Sequence, residues 1–233
     1  TYHKLWDMRP MFYNGLEELP FGDMQSTGWS SVAIHLKSDP ENLLYQFCNN
    51  DQGEPSPLFI RKETLDLFDK QNDLRYKTCV NYDTPNRPTG ESGARMFGSN
   101  QVKWNCGGIR FSEVYLIVAE CYARLNDPEN AMKYLNELYV NRVKNNTPEL
   151  TAANADEAFE QVRKERKREL MFTYNGFFDM RRFSVQLNET FTRTYVNTAG
   201  ETQEFTLEPG SPLYVWPFPQ NAMETSNLVQ NTK

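Results

Sequence analysis

A chain of 233 residues with 39% hydrophobic and 24% charged side chains carries enough apolar material for a core and falls among globular rather than disordered chains. Its net charge of -6, with no basic stripe interleaved with aromatics, argues against a partner made of nucleic acid, and no run of 18 apolar residues is present to cross a membrane as a helix. The four cysteines, Cys48, Cys79, Cys106 and Cys121, form no C-x-x-C pair, so zinc-ribbon and dithiol redox motifs are excluded while two disulfides stay open.

The chain begins at Thr1 without a Met or a charged-then-apolar leader, so a processed or trimmed product is expected. Residues 1–31 mix Trp6, Phe12, Tyr13, Phe21 and Trp29 with Gly and Pro and hold no sustained period, which predicts an aromatic-rich loop region. Val32 to Leu36 and Leu43 to Phe47 flank a Ser-Asp-Pro-Glu-Asn turn and predict a small antiparallel pair. A short amphipathic helix is expected from Thr64 to Phe68, ending near Asn72 and Asp73, and a strand around Cys79 to Tyr82. Residues 83–108, rich in Pro, Gly, Ser, Asn and Thr, predict a long surface loop, with Trp104 near its end under the helices that follow.

The stretch from Ile109 to Val143 organises the chain. Phe111, Val114, Tyr115, Val118, Cys121, Tyr122 and Leu125 recur at three- and four-residue steps and predict a helix with one apolar, core-facing stripe, on which Cys121 is a buried free thiol. Asp127 and Pro128 then supply a cap and a first helical residue. The second helix turns Ala131, Leu135 and Leu138 inward, and the short connection makes the pair antiparallel, with Ala119 and Ala123 permitting close approach. Tyr115, Val118, Ala119, Tyr122, Ala131 and Leu135 fall at tetratricopeptide-like spacings, but only one such unit is present, and one hairpin cannot bury its own apolar face. Other sequence must cover it.

Asn154 with Glu157 predicts a capped third helix reaching about Tyr174, where Asn175 and Gly176 are expected to end it. Within its charged run, Glu165 to Leu170, Arg166 and Glu169 share a face with Val162, Leu170 and Thr173, so they are expected to be half-buried and paired, with Asp179 held by Arg181 or Arg182 beyond the turn. Phe191 to Val196 and Glu204 to Leu207 flank Asn197 to Gly200 as a β-hairpin, and a Pro- and Asn-rich tail closes the chain.

In this order, these pieces resemble the C-terminal region of the SusD/RagB family of outer-membrane nutrient-binding lipoproteins. Arg110 to Glu120 looks like that family's Arg-x-x-Glu-x-x-Leu-x-x-Ala-Glu helix, and Leu135, Asn136, Asn141 and Arg142 look like the helix after it. Glu165 to Leu170 and Gly176 to Arg182 are similar to its charged signature, and Asn72 to Arg75 to the step before its central loop. Pro217 to Pro219 and Asn227 to Asn231 resemble its closing motif, with Leu228 in place of the usual proline. The resemblance starts near residue 32 and implies a mainly α, SusD-like fold with a tetratricopeptide-like helix hairpin, long loops and small β-hairpins. It implies one domain over 1–233, the C-terminal portion of a protein about twice as long. Its parts would be a loop-rich region over 1–108, a helical core over 109–182, and a β-hairpin with a wrapping tail over 183–233.

Neither His3 nor His35 has Cys, Asp or Glu at metal-ligand or relay spacing, Gly107-Gly108 is too short to cradle phosphate, and Asn49 to Glu54 places Gly53 one position early for an EF-hand loop. No catalytic residue, metal or cofactor is therefore expected. Trp29, Trp6, Tyr13 and Tyr82 lie beside Gly, Pro or Asn in expected loops, where flat apolar faces suit sugar rings, and they are the candidate ligand-binding residues; Trp104 and Trp216 read as structural. By resemblance the protein is a non-catalytic glycan- or nutrient-binding subunit on the extracellular face of the outer membrane. It would hand ligand to a SusC-class TonB-dependent transporter, and would touch the membrane only through a lipid anchor that this chain does not carry. The competing functions are a tetratricopeptide-type adaptor, which needs a concave helical groove for a peptide, and a carbohydrate-active hydrolase, which needs two facing carboxylates.

Overall fold

The computed structural model describes residue 5 and residues 41–44, 62–81, 95–96, 107–171, 173–196 and 199–230. Over these the chain is mainly α-helical, with three two-stranded antiparallel pairs. In order, the elements are β1 (Asn42–Leu44), α1 (Lys62–Leu65), α2 (Leu74–Cys79), β2 (Val80–Asn81), β3 (Arg95–Met96), β4 (Ile109–Arg110), α3 (Phe111–Arg124), α4 (Pro128–Tyr139), α5 (Ala155–Glu169), α6 (Asn175–Gln186), β5 (Phe191–Val196), β6 (Thr202–Leu207) and α7 (Gln220–Glu224). Two compact units divide the chain: Thr1–Arg87 with Glu91–Tyr174, and Pro88–Gly90 with Asn175–Lys233.

The first unit is built on α3, α4 and α5. Leu125 to Asp127 connect α3 to α4, with Asn126 at φ 61°, a left-handed conformation that asparagine tolerates better than most residues. Asp127 caps α4 by accepting from the amide of Asn130 at 3.1 Å, and Pro128 stands at the first helical position. Ala131, Leu135 and Leu138 are fully buried, as their spacing predicts. They meet Leu116, Ala119 and Ala123 of α3 and Ala158 and Val162 of α5 in one apolar cluster, against which Leu5 also packs. Asn154 caps α5 through the amide of Glu157 at 2.9 Å, while the Glu157 carboxylate reaches back to the amide of Ala153 at 2.8 Å.

The inward face of α3 is not the stripe expected from periodicity. Buried on it are Ser112, Leu116, Ala119, Glu120 and Ala123; Phe111, Val114, Tyr115, Val118 and Tyr122 are half-buried, and Cys121 and Leu125 are exposed. Ala119 and Ala123 allow close packing at the seam, and the rings stand on its flank, where Tyr122 stacks on Tyr134 at 5.5 Å and 8° and Tyr115 meets the same ring at 6.2 Å. Cys121 is thus a free, exposed thiol rather than a buried one.

Two further differences concern chain pairing and helix ends. β1 pairs with β4, Asn42 opposite Arg110 and Leu44 opposite Ile109, whereas its expected partner, 32–36, lies outside the described residues. The third helix stops at Glu169 rather than near Tyr174, and Asn175 and Gly176 open α6 instead of closing α5. The carbonyl of Glu169 accepts from the Arg110 guanidinium, and the Leu170 carbonyl accepts from both the amide and the hydroxyl of Thr173, so the helix ladder gives way to a turn.

In the second unit, β5 and β6 form the expected hairpin, Phe191 opposite Leu207 through Val196 opposite Thr202. Gly200 in the connection stands at φ 82°, which a side chain would strain.

Candidate functional site

Eight charged side chains meet inside the first unit, and they come from five separate segments. Glu41 precedes β1, Asp73 and Arg75 open α2, Arg110 ends β4, Arg142 follows α4, and Glu165, Arg168 and Glu169 belong to α5. All are buried. Four arginines face four carboxylates, so the cluster is neutral as a whole.

Glu169 is its hub. One carboxylate oxygen accepts from Arg75 Nη1 at 2.8 Å and Arg142 Nε at 3.0 Å; the other accepts from Arg142 Nη2 at 2.9 Å and lies 3.5 Å from Arg110 Nη1. Arg142 therefore grips Glu169 with two parallel bonds and donates to Glu41 as well. Arg75 is gripped in turn by Asp73, at 3.0 and 2.8 Å, and donates to Glu165. Arg168 donates to Glu165 at 2.9 Å and to the carbonyl of Leu67 at 2.7 Å, which fastens the turn after α1 to α5.

The electrostatics follow from these contacts. Burial alone raises the Glu169 carboxyl, but the guanidiniums of Arg142, Arg110 and Arg75 hold it well below the ordinary carboxylate range. Glu165 is likewise lowered against its burial by Arg168 and Arg75. Arg75 and Arg142 are raised against theirs by the carboxylates around them. Beside the cluster, burial and the charges of Asp73 and Glu165 push the Tyr139 phenol up. Groups held this firmly in their charged forms do not exchange protons near neutral pH. What the cluster does is fix where five chain segments sit relative to one another.

Glu169 is paired, as its helix face predicts, but it is buried rather than half-buried, and its partners come from earlier in the chain. Asp179 pairs with Arg182 at 2.8 Å within α6, one of the two arginines expected for it. The convergence of Asp73, Arg75, Arg110, Arg142, Glu165 and Glu169 escapes sequence reasoning. They lie in four separate stretches that resemble family motifs, but no spacing says that these meet, and Glu41 carries no signal at all. All four candidate ligand-binding residues, Trp29, Trp6, Tyr13 and Tyr82, lie outside the described residues, as does Trp104. Trp216 was expected to be structural, yet it is 76% exposed. Among the described residues no group of three or more His, Cys, Asp or Glu side chains is placed to hold a metal ion.

The closing motif has its own geometry in the second unit. Pro217 and Pro219 have no amide hydrogen, which leaves Phe218 with the only N–H of the three. The side-chain amide of Gln230 satisfies both backbone groups of Phe218, accepting from its N–H at 2.8 Å and donating to its carbonyl at 3.0 Å.

No curated protein matches the chain. Among solved structures, it is similar to a SusD-like protein from Bacteroides fragilis NCTC 9343, with 25% identity and a TM-score of 0.37, covering 64% of this chain and 28% of that one. It is also similar to a SusD-like carbohydrate binding protein from Bacteroides vulgatus ATCC 8482, with 16% identity and a TM-score of 0.48, covering 87% of this chain and 53% of that one. The chain thus spans between about a quarter and a half of the length of these relatives. The model of the SusD family matches residues 96–233, a stretch that takes in the α3 and α4 hairpin, the charged helix α5 and the closing motif. The chain belongs to the SusD family.

Proposed function

We propose that this protein is a non-catalytic glycan-binding subunit of the cell surface, on the outer face of the outer membrane, which hands its ligand to a SusC-class TonB-dependent transporter. The observation that carries this reading is membership of the SusD family over 96–233, joined to a charge cluster that links the family-like segments into one framework. Capture by such a framework needs flat apolar faces for sugar rings and polar groups that fix their orientation. Trp29, Trp6, Tyr13 and Tyr82 are the residues proposed for that contact.

Titration of the protein with a glycan panel, alongside an assay for released reducing ends, tests the reading. Binding without turnover is expected, nearly insensitive to salt because stacking and burial rather than charge supply the affinity. Trp29→Ala is expected to weaken it by roughly 1 to 3 kcal/mol, with Trp6→Ala as the comparison. Product formation would favour a hydrolase, and unchanged binding in both variants removes the site assignment. Failure of the protein to co-purify with its transporter removes the proposed partner.

A further inference from the structure

Three aromatic rings are linked by contact in the second unit. Phe177 and Phe178 are consecutive in the first turn of α6, with ring centroids 6.0 Å apart, and Trp216 meets Phe177 edge to face at 6.3 Å and 67°. The shared ring, Phe177, is half-buried, while Phe178 is 56% and Trp216 76% exposed. An indole with three-quarters of its surface in water keeps a broad face open to solvent. Both exposed rings contact Phe177, with centroids 6.0 and 6.3 Å from its own.

The indole is also held in place. Just before it, Tyr214 is buried at the end of the short 3-10 turn Pro212–Tyr214. Just after it, Pro217 and Pro219 restrict the backbone, and Gln230 pins Phe218 between them with two hydrogen bonds. A ring presented by a chain already fixed loses little freedom when a ligand covers it.

A polar group suited to a neutral, hydroxyl-rich ligand stands alongside. Arg181 lies four residues after Phe177 and three after Phe178 on α6, so helical geometry puts it beside both. It is exposed, and its guanidinium makes no hydrogen bond or ion pair among the described residues. Its neighbour Arg182 is occupied, donating to Asp179 at 2.8 Å and lying over the Phe183 ring at 4.1 Å. Flat apolar faces take the C–H face of a pyranose, and an unengaged guanidinium fork offers donors to its hydroxyls.

We propose that Trp216, Phe178 and Arg181 form an oligosaccharide subsite, with Gln230 as a positioning residue for the indole. The subsite rests on the glycan-binding reading above but on different residues from those assigned there. Calorimetric titration of the whole chain with maltohexaose, mannohexaose and xylohexaose tests it, using wild type, Trp216→Ala, Trp216→Leu, Trp216→Phe and Phe178→Ala. The Leu variant keeps an apolar side chain and removes the flat ring, whereas the Phe variant keeps a ring. For an oligosaccharide that wild type binds, Trp216→Ala and Trp216→Leu are expected to weaken affinity about tenfold or more, Phe178→Ala by less, and Trp216→Phe to retain most of it. Wild-type affinity in the Leu variant shows an apolar cover rather than a stacking face and overturns the subsite. Wild-type affinity in the Ala variant overturns it too; both results leave the glycan-binding reading standing. No binding of any of the three by wild type overturns the subsite, and the reading itself falls only if the wider glycan panel is also empty.

Discussion

The two units use their side chains in opposite ways. In the first, three helices enclose an apolar cluster and beside it a second core made of charge, eight buried Arg, Asp and Glu side chains tied to one another. In the second, Phe183, Ser184 and Tyr214 are the only buried residues among those described, while Phe178, Val185, Phe205, Leu213, Trp216 and Val229 are each more than half exposed. A buried charge network demands that every partner stay in place, so it fixes geometry at the expense of tolerance to change. Exposed rings on a short helix and a proline-bounded segment leave apolar surface for something outside the unit. The comparison separates a region that sets positions from a region that offers contact.

Substitution of Glu169 is the strongest way to break that contrast. Glu169→Ala leaves Arg75, Arg110 and Arg142 buried around a missing carboxylate, and the cost expected is about 3 to 5 kcal/mol of unfolding free energy. Arg142→Ala is expected to fall in the same range, because it removes the guanidinium that bridges the buried carboxylates of Glu41 and Glu169. Denaturant unfolding with an unchanged slope measures both. A loss below about 1 kcal/mol in either variant would put the cluster on the same footing as a solvated surface network.

How much of this was legible in sequence depends on the reach of the forces involved. The Asp127 and Asn154 caps, the buried Ala131, Leu135 and Leu138, and the β5 and β6 hairpin were all readable, since each is decided within a few residues. The inner face of α3 was read in part. Ala119 and Ala123, expected to permit close approach, are buried, but periodicity ranks residues by how apolar they are and so also placed the exposed Cys121 and Leu125 on that face. The start of α6 was misread because Asn175 and Gly176 suit a helix end on local chemistry, while the actual end at Glu169 is set by Arg110, a residue 59 positions away. The charge cluster lay beyond local reasoning for the same reason, with Glu41 and Arg142 101 positions apart.

Acid sharpens the comparison without mutation. Glu165 and Glu169 titrate below the ordinary carboxylate value of 4.5 in the folded chain, so the unfolded chain binds more protons than the folded one in that region. Their contribution to stability is fully present above about pH 4.5 and is lost as pH falls from there through their lowered folded values. Wild type is therefore expected to lose stability steeply on acidification below that point, and Glu169→Ala less steeply. Parallel slopes for the two proteins would mean that other carboxylates carry the acid transition.

The smallest effect belongs to the ion pair in the second unit. Asp179 and Arg182 are joined at 2.8 Å, three residues apart on α6, with side chains 17% and 30% exposed. Water reaches both groups, so loss of the pair leaves neither charge stranded, and Arg182 keeps its place over the Phe183 ring. Alanine is also a better helix former than aspartate, by up to about 0.7 kcal/mol, which offsets part of what the pair contributed. Asp179→Ala is therefore expected to cost about 0.5 kcal/mol or less, several-fold below Glu169→Ala, with an unfolding midpoint close to wild type. A loss above about 2 kcal/mol would place Asp179 in a buried network like that of Glu169, and the division between a position-setting unit and a contact-offering one would then end at α6.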